Sequence, residues 1–228
     1  MDALIFDFDG VVVDSEPVHL WGFQQVLAGL GVELSQRDYY EKYLGFDDHD
    51  CLAAALTAAG MRYSETLLQE LTEQKTRLVQ KAYRESIRPL GGAVELIRAA
   101  AEAAVALAVC SGALRKEIEL ASRTIGVWDR FSAVVSAEDV SKGKPDPEGY
   151  VLALQRLEEK LGRGFAPTDC VVVEDSPAGI QAAVAAGLHV LAVTNSYTHE
   201  SLQGADMVVD SLEEVSLADL DQLAESRD

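Results

Sequence analysis

The most constraining feature of this sequence is a set of short, almost uninterrupted apolar runs. They occupy residues 3–6, 105–109, 133–135, 171–173, 190–193 and 207–209. A strand with one wet face alternates apolar and polar residues, whereas a run without alternation is buried on both faces, as in a parallel sheet. Helical patterns at 92–102, 114–125, 147–161 and 178–186 lie between most of the runs. Alternating strand and helix predicts an α/β fold, an open doubly wound parallel sheet. Right-handed crossovers then gather the strand C-terminal ends on one edge, where ligands bind.

One stretch breaks this rhythm. Residues 16–86 contain no strand pattern, and their apolar residues recur at helical spacing, as in Leu20, Phe23, Val26, Leu27 and Leu30, and again in Leu67, Leu68, Leu71, Leu78 and Val79. This block reads as an all-helical domain inserted after the first strand. The expected division is a core of residues 1–15 and 87–228 and an insert of residues 16–86. The linkers fall near 11–17 and 86–92, the second containing Pro89, Gly91 and Gly92. After Asp210 a short terminal helix is expected, with Ser216 as its N-cap.

Charge excludes some partners. The chain has 228 residues with 19 basic and 38 acidic side chains, a formal net charge of -19. Nucleic-acid binders carry a basic footprint, and anionic membranes attract basic segments, so neither partner is expected. With 48% apolar and only 25% charged residues, the acidity does not signal disorder. Cys51, Cys110 and Cys170 are too few and too widely spaced for a disulfide framework or a zinc site. Cys110 and Cys170 sit in apolar runs and are expected to be buried. The N-terminus reaches Asp2 and Asp7 without a basic start or a long apolar stretch, so no signal peptide is expected. The expectation is a cytoplasmic, monomeric protein.

Chemistry-bearing residues collect at the ends of four predicted strands. In Asp7-Phe8-Asp9-Gly10-Val11, two carboxylates at i and i+2 project from one face, ~7 Å apart along a strand. Such a pair suits metal binding, nucleophilic catalysis or acid–base work, and equally a solvated acidic loop. In Cys110-Ser111-Gly112, a hydroxyl and a permissive glycine follow a buried strand, and could hold a phosphate oxygen or cap a helix. Lys144, in Lys142-Gly143-Lys144-Pro145-Asp146-Pro147, is held extended by the following proline and offers a point charge to phosphate. Glu174-Asp175-Ser176-Pro177 places two acids before a helix that starts with proline. Capping accounts for one acid, not for both; hard divalent cations take such oxygen ligands.

Together these segments resemble the haloacid-dehalogenase-like superfamily of aspartate-nucleophile phosphotransferases. Asp7-x-Asp9-Gly10-Val11 matches its first motif, Ser111 the second, Lys144 before Pro145 the third, and Glu174-Asp175 the fourth. The resemblance runs from residue 3 to about residue 210, and an insertion directly after the first motif marks the subgroup with an α-helical cap. It implies a Rossmann-like core and fixed roles. Asp7 is then the nucleophile that forms an aspartyl-phosphate. Asp9 first protonates the leaving oxygen and then activates water. Mg²⁺ is held by Asp7, the Asp9 backbone carbonyl and Asp175, with Glu174 supporting or joining that shell. Ser111 and Lys144 hold the phosphoryl oxygens, with Gly10 and Gly112 lining the same place. The implied partner is a small phosphorylated metabolite. Asp9 separates phosphoryl transfer from carbon–halogen cleavage, because a halide needs no proton.

The similar members include β-phosphoglucomutase-like and phosphoglycolate-phosphatase-like enzymes, and the resemblance makes the cap the part that chooses substrate. Asp14-Ser15-Glu16-Pro17-Val18-His19 resembles the start of their cap, and His19 matches a histidine of the mutase-like members, a candidate for assisting Asp9 or cap closure. Leu44-Gly45-Phe46 resembles their cap loop. The sugar-phosphate mutase has an arginine shortly after that glycine, and here Asp48 takes the place, between Asp47 and His49. An acidic loop would repel a second phosphate, unless Arg37, Lys42 or Arg62 compensates. The leading expectation is therefore a Mg²⁺-dependent phosphatase. A hexose-phosphate mutase is the alternative, and a catalytically silent binding domain the minor one.

Overall fold

In the computed structural model, which describes residues 1–226, the apolar runs form six strands. They are β1 (Ala3–Phe6), β2 (Ala106–Cys110), β3 (Ala133–Val135), β4 (Cys170–Glu174), β5 (His189–Val193) and β6 (Met207–Val209). Every pairing is parallel and the order is β3-β2-β1-β4-β5-β6. β1, β2, β4 and β5 are buried along their whole length, which is why their sequences do not alternate. The chain runs from β1 outward to β3 and then crosses back to place β4 on the other side of β1. The gap between the ends of β1 and β4 is thus the topological switch point, where open α/β sheets bind ligands.

The helices of the sheet unit are α4 (Ala93–Glu102), α5 (Arg115–Thr124), α6 (Glu148–Leu161), α7 (Pro177–Ala185) and α8 (Leu217–Ala224), numbered after three that precede them in the insertion. At the start of α7 the Ser176 hydroxyl accepts from the Gly179 N–H at 3.0 Å, with Pro177 in the first turn. At α8, Ser216 and Asp219 form a reciprocal capping box, so the terminal helix begins where the sequence places it. β3 is an edge strand. Its Val134 carbonyl accepts from Arg115 at 2.9 Å and Arg156 at 2.5 Å, and both guanidiniums also reach Asp139, at 2.8 and 2.7 Å.

The chain divides into two compact units, Met1–Asp14 with everything from Ile87 onward, and Ser15–Ser86. The second unit is helical: α1 (Glu16–Ala28), α2 (Asp48–Ala58) and α3 (Glu65–Ser86), with a short helical turn over residues 36–43. Phe23, Leu27, Leu52, Leu56, Leu68 and Leu71 make its core. All three cysteines are buried and free. Among the described residues no helix is long and apolar enough to cross a membrane.

Candidate active site

The first loop is built by continuation of the sheet. The Asp7 N–H donates to the Val173 carbonyl at 2.9 Å, so Asp7 stays in register beside β4 after β1 has ended. The chain then folds back on itself. The N–H groups of Val12 and Val13 both donate to the Phe8 carbonyl, and Gly10 N–H donates to Val13. Gly10 adopts φ +74°, and a Cβ there would lie 1.9 Å from Asp175 Oδ2. Only glycine permits both the left-handed backbone and this close approach of a carboxylate from the fourth segment.

Asp7, Glu174 and Asp175 are buried and bring carboxylate oxygens within 4.8 Å of one another. Lys144 joins them, with Nζ 3.0 Å from Asp7 Oδ1 and 2.6 Å from Glu174 Oε1. Its loop is held by Glu148, whose carboxylate accepts from the Ser141 N–H and hydroxyl and from the Lys142 N–H. Ser111, also buried, directly follows β2, and its hydroxyl accepts from the Ala113 N–H at 3.1 Å. It does not cap α5, which follows Leu114. A Cβ on Gly112 would meet nothing within 4 Å, so the chain itself does not demand glycine there. A cavity of about 420 Å³ opens beside Ser111, Gly112 and Lys144.

Burial pushes the Asp7 carboxyl up to about 7; Lys144 opposes this, while Glu174 and Asp9 add to it. Burial, with Asp7 and Glu174 as neighbours, pushes Asp175 up to about 8. Burial also opposes the charges of Glu174 and Lys144. Their mutual attraction outweighs it, holding Glu174 below the usual carboxylate range and, with Asp7, Lys144 well above the usual ammonium one. Three carboxylates therefore face one ammonium. A divalent cation would relieve that excess, and the donor set is the all-oxygen kind that Mg²⁺ takes.

The three carboxylates are not equivalent. Glu174 Oε1 accepts from Lys144 and, at 2.9 Å, from the buried Tyr150 hydroxyl. Its Oε2 accepts from the N–H groups of Asp175 and Ser176 and from the Ser176 hydroxyl. Glu174 is thus the anchor of Lys144 and of the loop after β4. Asp175 has fewer such bonds: its Oδ2 accepts from the Ser196 hydroxyl. The β5 loop reaches the first loop as well, through Asn195 Nδ2 donating to the Gly10 carbonyl at 2.8 Å. Tyr150, Asn195 and Ser196 were not singled out in the sequence.

His19 and Asp48 lie in the helical unit, joined by a residue the sequence reading passed over. Lys75, 1% exposed, donates to Asp48 Oδ1 at 2.5 Å and to His19 Nδ1 at 2.6 Å, with its ammonium 4.6 Å from the Phe23 ring centroid. His19 Nε2 is 2.9 Å from the Tyr83 hydroxyl. Burial and the Lys75 charge hold His19 well below its usual pKa, so it is neutral, with Nδ1 as acceptor. Arg37 and Lys42 do not offset the acidic loop; they pair with Glu41 and Asp38. Lys75 is the cation that meets Asp48.

A profile of the haloacid dehalogenase-like hydrolase family matches residues 4–193. The chain belongs to that family. Hexitol phosphatase A of Escherichia coli is 31% identical, over 94% of this chain and 93% of its own. Beta-phosphoglucomutase of Bacillus subtilis is 28% identical, over 95% and 92%. The crystal structure of CbbY from Rhodobacter sphaeroides in complex with phosphate superposes with a TM-score of 0.85 at 28% identity, covering 97% of this chain and 99% of that one. The six-stranded parallel sheet is thus the Rossmann-like core of this family's fold.

Proposed function

We propose that the chain is a Mg²⁺-dependent phosphatase that hydrolyses a small phosphorylated metabolite through an aspartyl-phosphate on Asp7. The observation that carries the reading is the Asp7 carboxylate, in contact with Lys144 and clustered with Asp175 at the switch point of the sheet. Family membership and the phosphatase named among its relatives add support.

Asp7 attacks phosphorus with one carboxylate oxygen, and the ester oxygen departs with a proton from Asp9. Water then attacks the phosphorus of the aspartyl-phosphate while Asp9 takes back a proton. Inorganic phosphate leaves and the Asp7 carboxylate is restored. An anionic nucleophile approaching an anionic substrate is held off by repulsion, which Lys144 offsets in a buried site. Ser111 orients a phosphoryl oxygen. Asp7 and Asp175, with the Asp9 carbonyl, are the groups that would hold Mg²⁺, which supplies charge neutralisation of the phosphoryl oxygens. Glu174 acts chiefly by fixing Lys144.

A mutase would share the first step and hand the phosphoryl group to a sugar hydroxyl. Hydrolysis is the better reading because Asp48 stands where the mutase arginine is expected, and Lys75 is already engaged by Asp48 and His19. The test is phosphate release from p-nitrophenyl phosphate and a panel of sugar phosphates, with Mg²⁺ and with EDTA. Metal-dependent release, lost in Asp7→Asn, is expected. Isomerisation of a sugar 1-phosphate without phosphate release would favour the mutase.

A further inference from the structure

The turn after β5 lies at a strand end that neither the sequence motifs nor the proposed reaction uses, yet its Ser196 side chain bonds to the acidic cluster and its Asn195 side chain to the first loop. Asp175 Oδ2 lies over the bare Cα of Gly10, where a Cβ would sit 1.9 Å away. The Ser196 hydroxyl donates to that same oxygen. One residue earlier, Asn195 Nδ2 donates to the Gly10 carbonyl at 2.8 Å. The turn itself is anchored: Thr194 N–H continues the β5–β6 ladder to the Val209 carbonyl at 3.0 Å, and its hydroxyl donates to Asp210 at 2.9 Å.

These contacts have a common consequence. A carboxylate free to rotate presents either oxygen to a cation, and ordering it costs entropy at the moment of binding. Ser196 holds Oδ2 in the space that the missing Cβ of Gly10 leaves open, so Oδ1 would be the oxygen left to meet a cation. Serine can do this without adding charge, so it does not compete with the cation as a lysine would. Asn195 holds the backbone that carries Asp9 and Gly10 against the same turn. Groups that orient metal ligands in this way typically change metal affinity by about 10–100-fold when removed.

We propose that Ser196 is a positioning residue of the divalent-cation site, acting through the Asp175 carboxylate, with Asn195 holding the Gly10 backbone beside it. This rests on Asp7 and Asp175 being metal ligands, as proposed above. It predicts that Ser196→Ala raises the Kd for Mg²⁺ alone, measured by titration calorimetry without substrate, by about 10–100-fold. Ser196→Thr, which keeps the hydroxyl, is expected to bind within about threefold of the parent, and Asn195→Ala to fall between the two; these orderings follow from the same orienting effect. Melting temperatures in EDTA are expected to match for the parent and Ser196→Thr and to fall by only a few degrees in Ser196→Ala, which loses the hydrogen bond to Asp175, so all three proteins are folded in the binding assay. Tight Mg²⁺ binding by the parent with unchanged binding in Ser196→Ala overturns this inference alone. A parent that binds no Mg²⁺, or an Asp175→Asn variant that binds it as well as the parent, overturns the metal reading and this inference with it. Weakening in Ser196→Thr equal to that in Ser196→Ala also overturns it, because the hydroxyl would then not be the group that matters.

Discussion

Tyr150→Phe isolates one hydrogen bond at the heart of the site. The Tyr150 hydroxyl donates to Glu174 Oε1 at 2.9 Å, both side chains are fully buried, and the ring packs under the Lys144 ammonium at 5.2 Å. Phenylalanine keeps the ring, its volume and the contact with Lys144, and removes only the donor. Hydrogen bonds to charged groups contribute about 1.5–3 kcal/mol. Glu174 keeps Lys144 and the three donors of Asp175 and Ser176, so no lone acceptor is stranded and the lower half of that range applies. A loss of about 2 kcal/mol corresponds to a melting point lower by roughly 4–8 °C in a chain of this size. Thermal unfolding followed by circular dichroism measures it. Phosphate release should fall less than in Lys144→Ala, because Lys144 retains its ion pairs. An unchanged melting point would refute the claim that Glu174 is a saturated anchor whose donors hold the site together.

Two further substitutions probe the packing that supports the cluster. In Gly179→Ala, a Cβ would lie 1.6 Å from Glu174 Oε1, so the anchor must move off Lys144; loss of phosphate release and destabilisation of about 3 kcal/mol or more are expected, read by activity and urea unfolding. Normal activity would contradict the placement of Glu174. Asp139 is held below the usual carboxylate range, first by its hydrogen bond to Arg156, with Ser136 and Arg115 adding to it against burial. Its folded pKa is lower than the unfolded value of about 3.9, so its contribution is complete above that value and is lost as pH falls toward the folded one. Asp139→Asn should therefore cost about 2 kcal/mol at pH 7, and the gap to the parent should close in acid. A gap that stays constant down to low pH would contradict the ionic account of the β3 edge.

The strands were legible because burial on both faces leaves no polar position to blur the run, as in Val171, Val172 and Val173. The acids and Lys144 were legible because each follows such a run, where a charged residue has no packing role. Lys75 was not legible as a buried cation, since lysine on a long polar helix usually faces water. A signal was present all the same: Lys75 stands four residues from both Leu71 and Val79, on the stripe that α3 buries. Asn195 and Ser196 carried a weaker signal. They follow the apolar run 190–193 just as Ser111 follows its own, but a polar turn after a strand is ordinary. What gives them meaning is the parallel order that sets β5 beside β4, and no local pattern states that order. Gly10 is similar. Its motif position was visible, but the Asp175 carboxylate resting on it comes from far along the chain.

The central claim is that Asp7 itself takes the phosphoryl group. Acid quenching during turnover of p-nitrophenyl phosphate with Mg²⁺, followed by peptide mass spectrometry, tests it directly. The account predicts a phosphoryl group on the peptide containing Asp7, absent in EDTA and in Asp7→Asn. Sustained phosphate release by Asp7→Asn, or turnover with the phosphoryl group found on another residue, would contradict it.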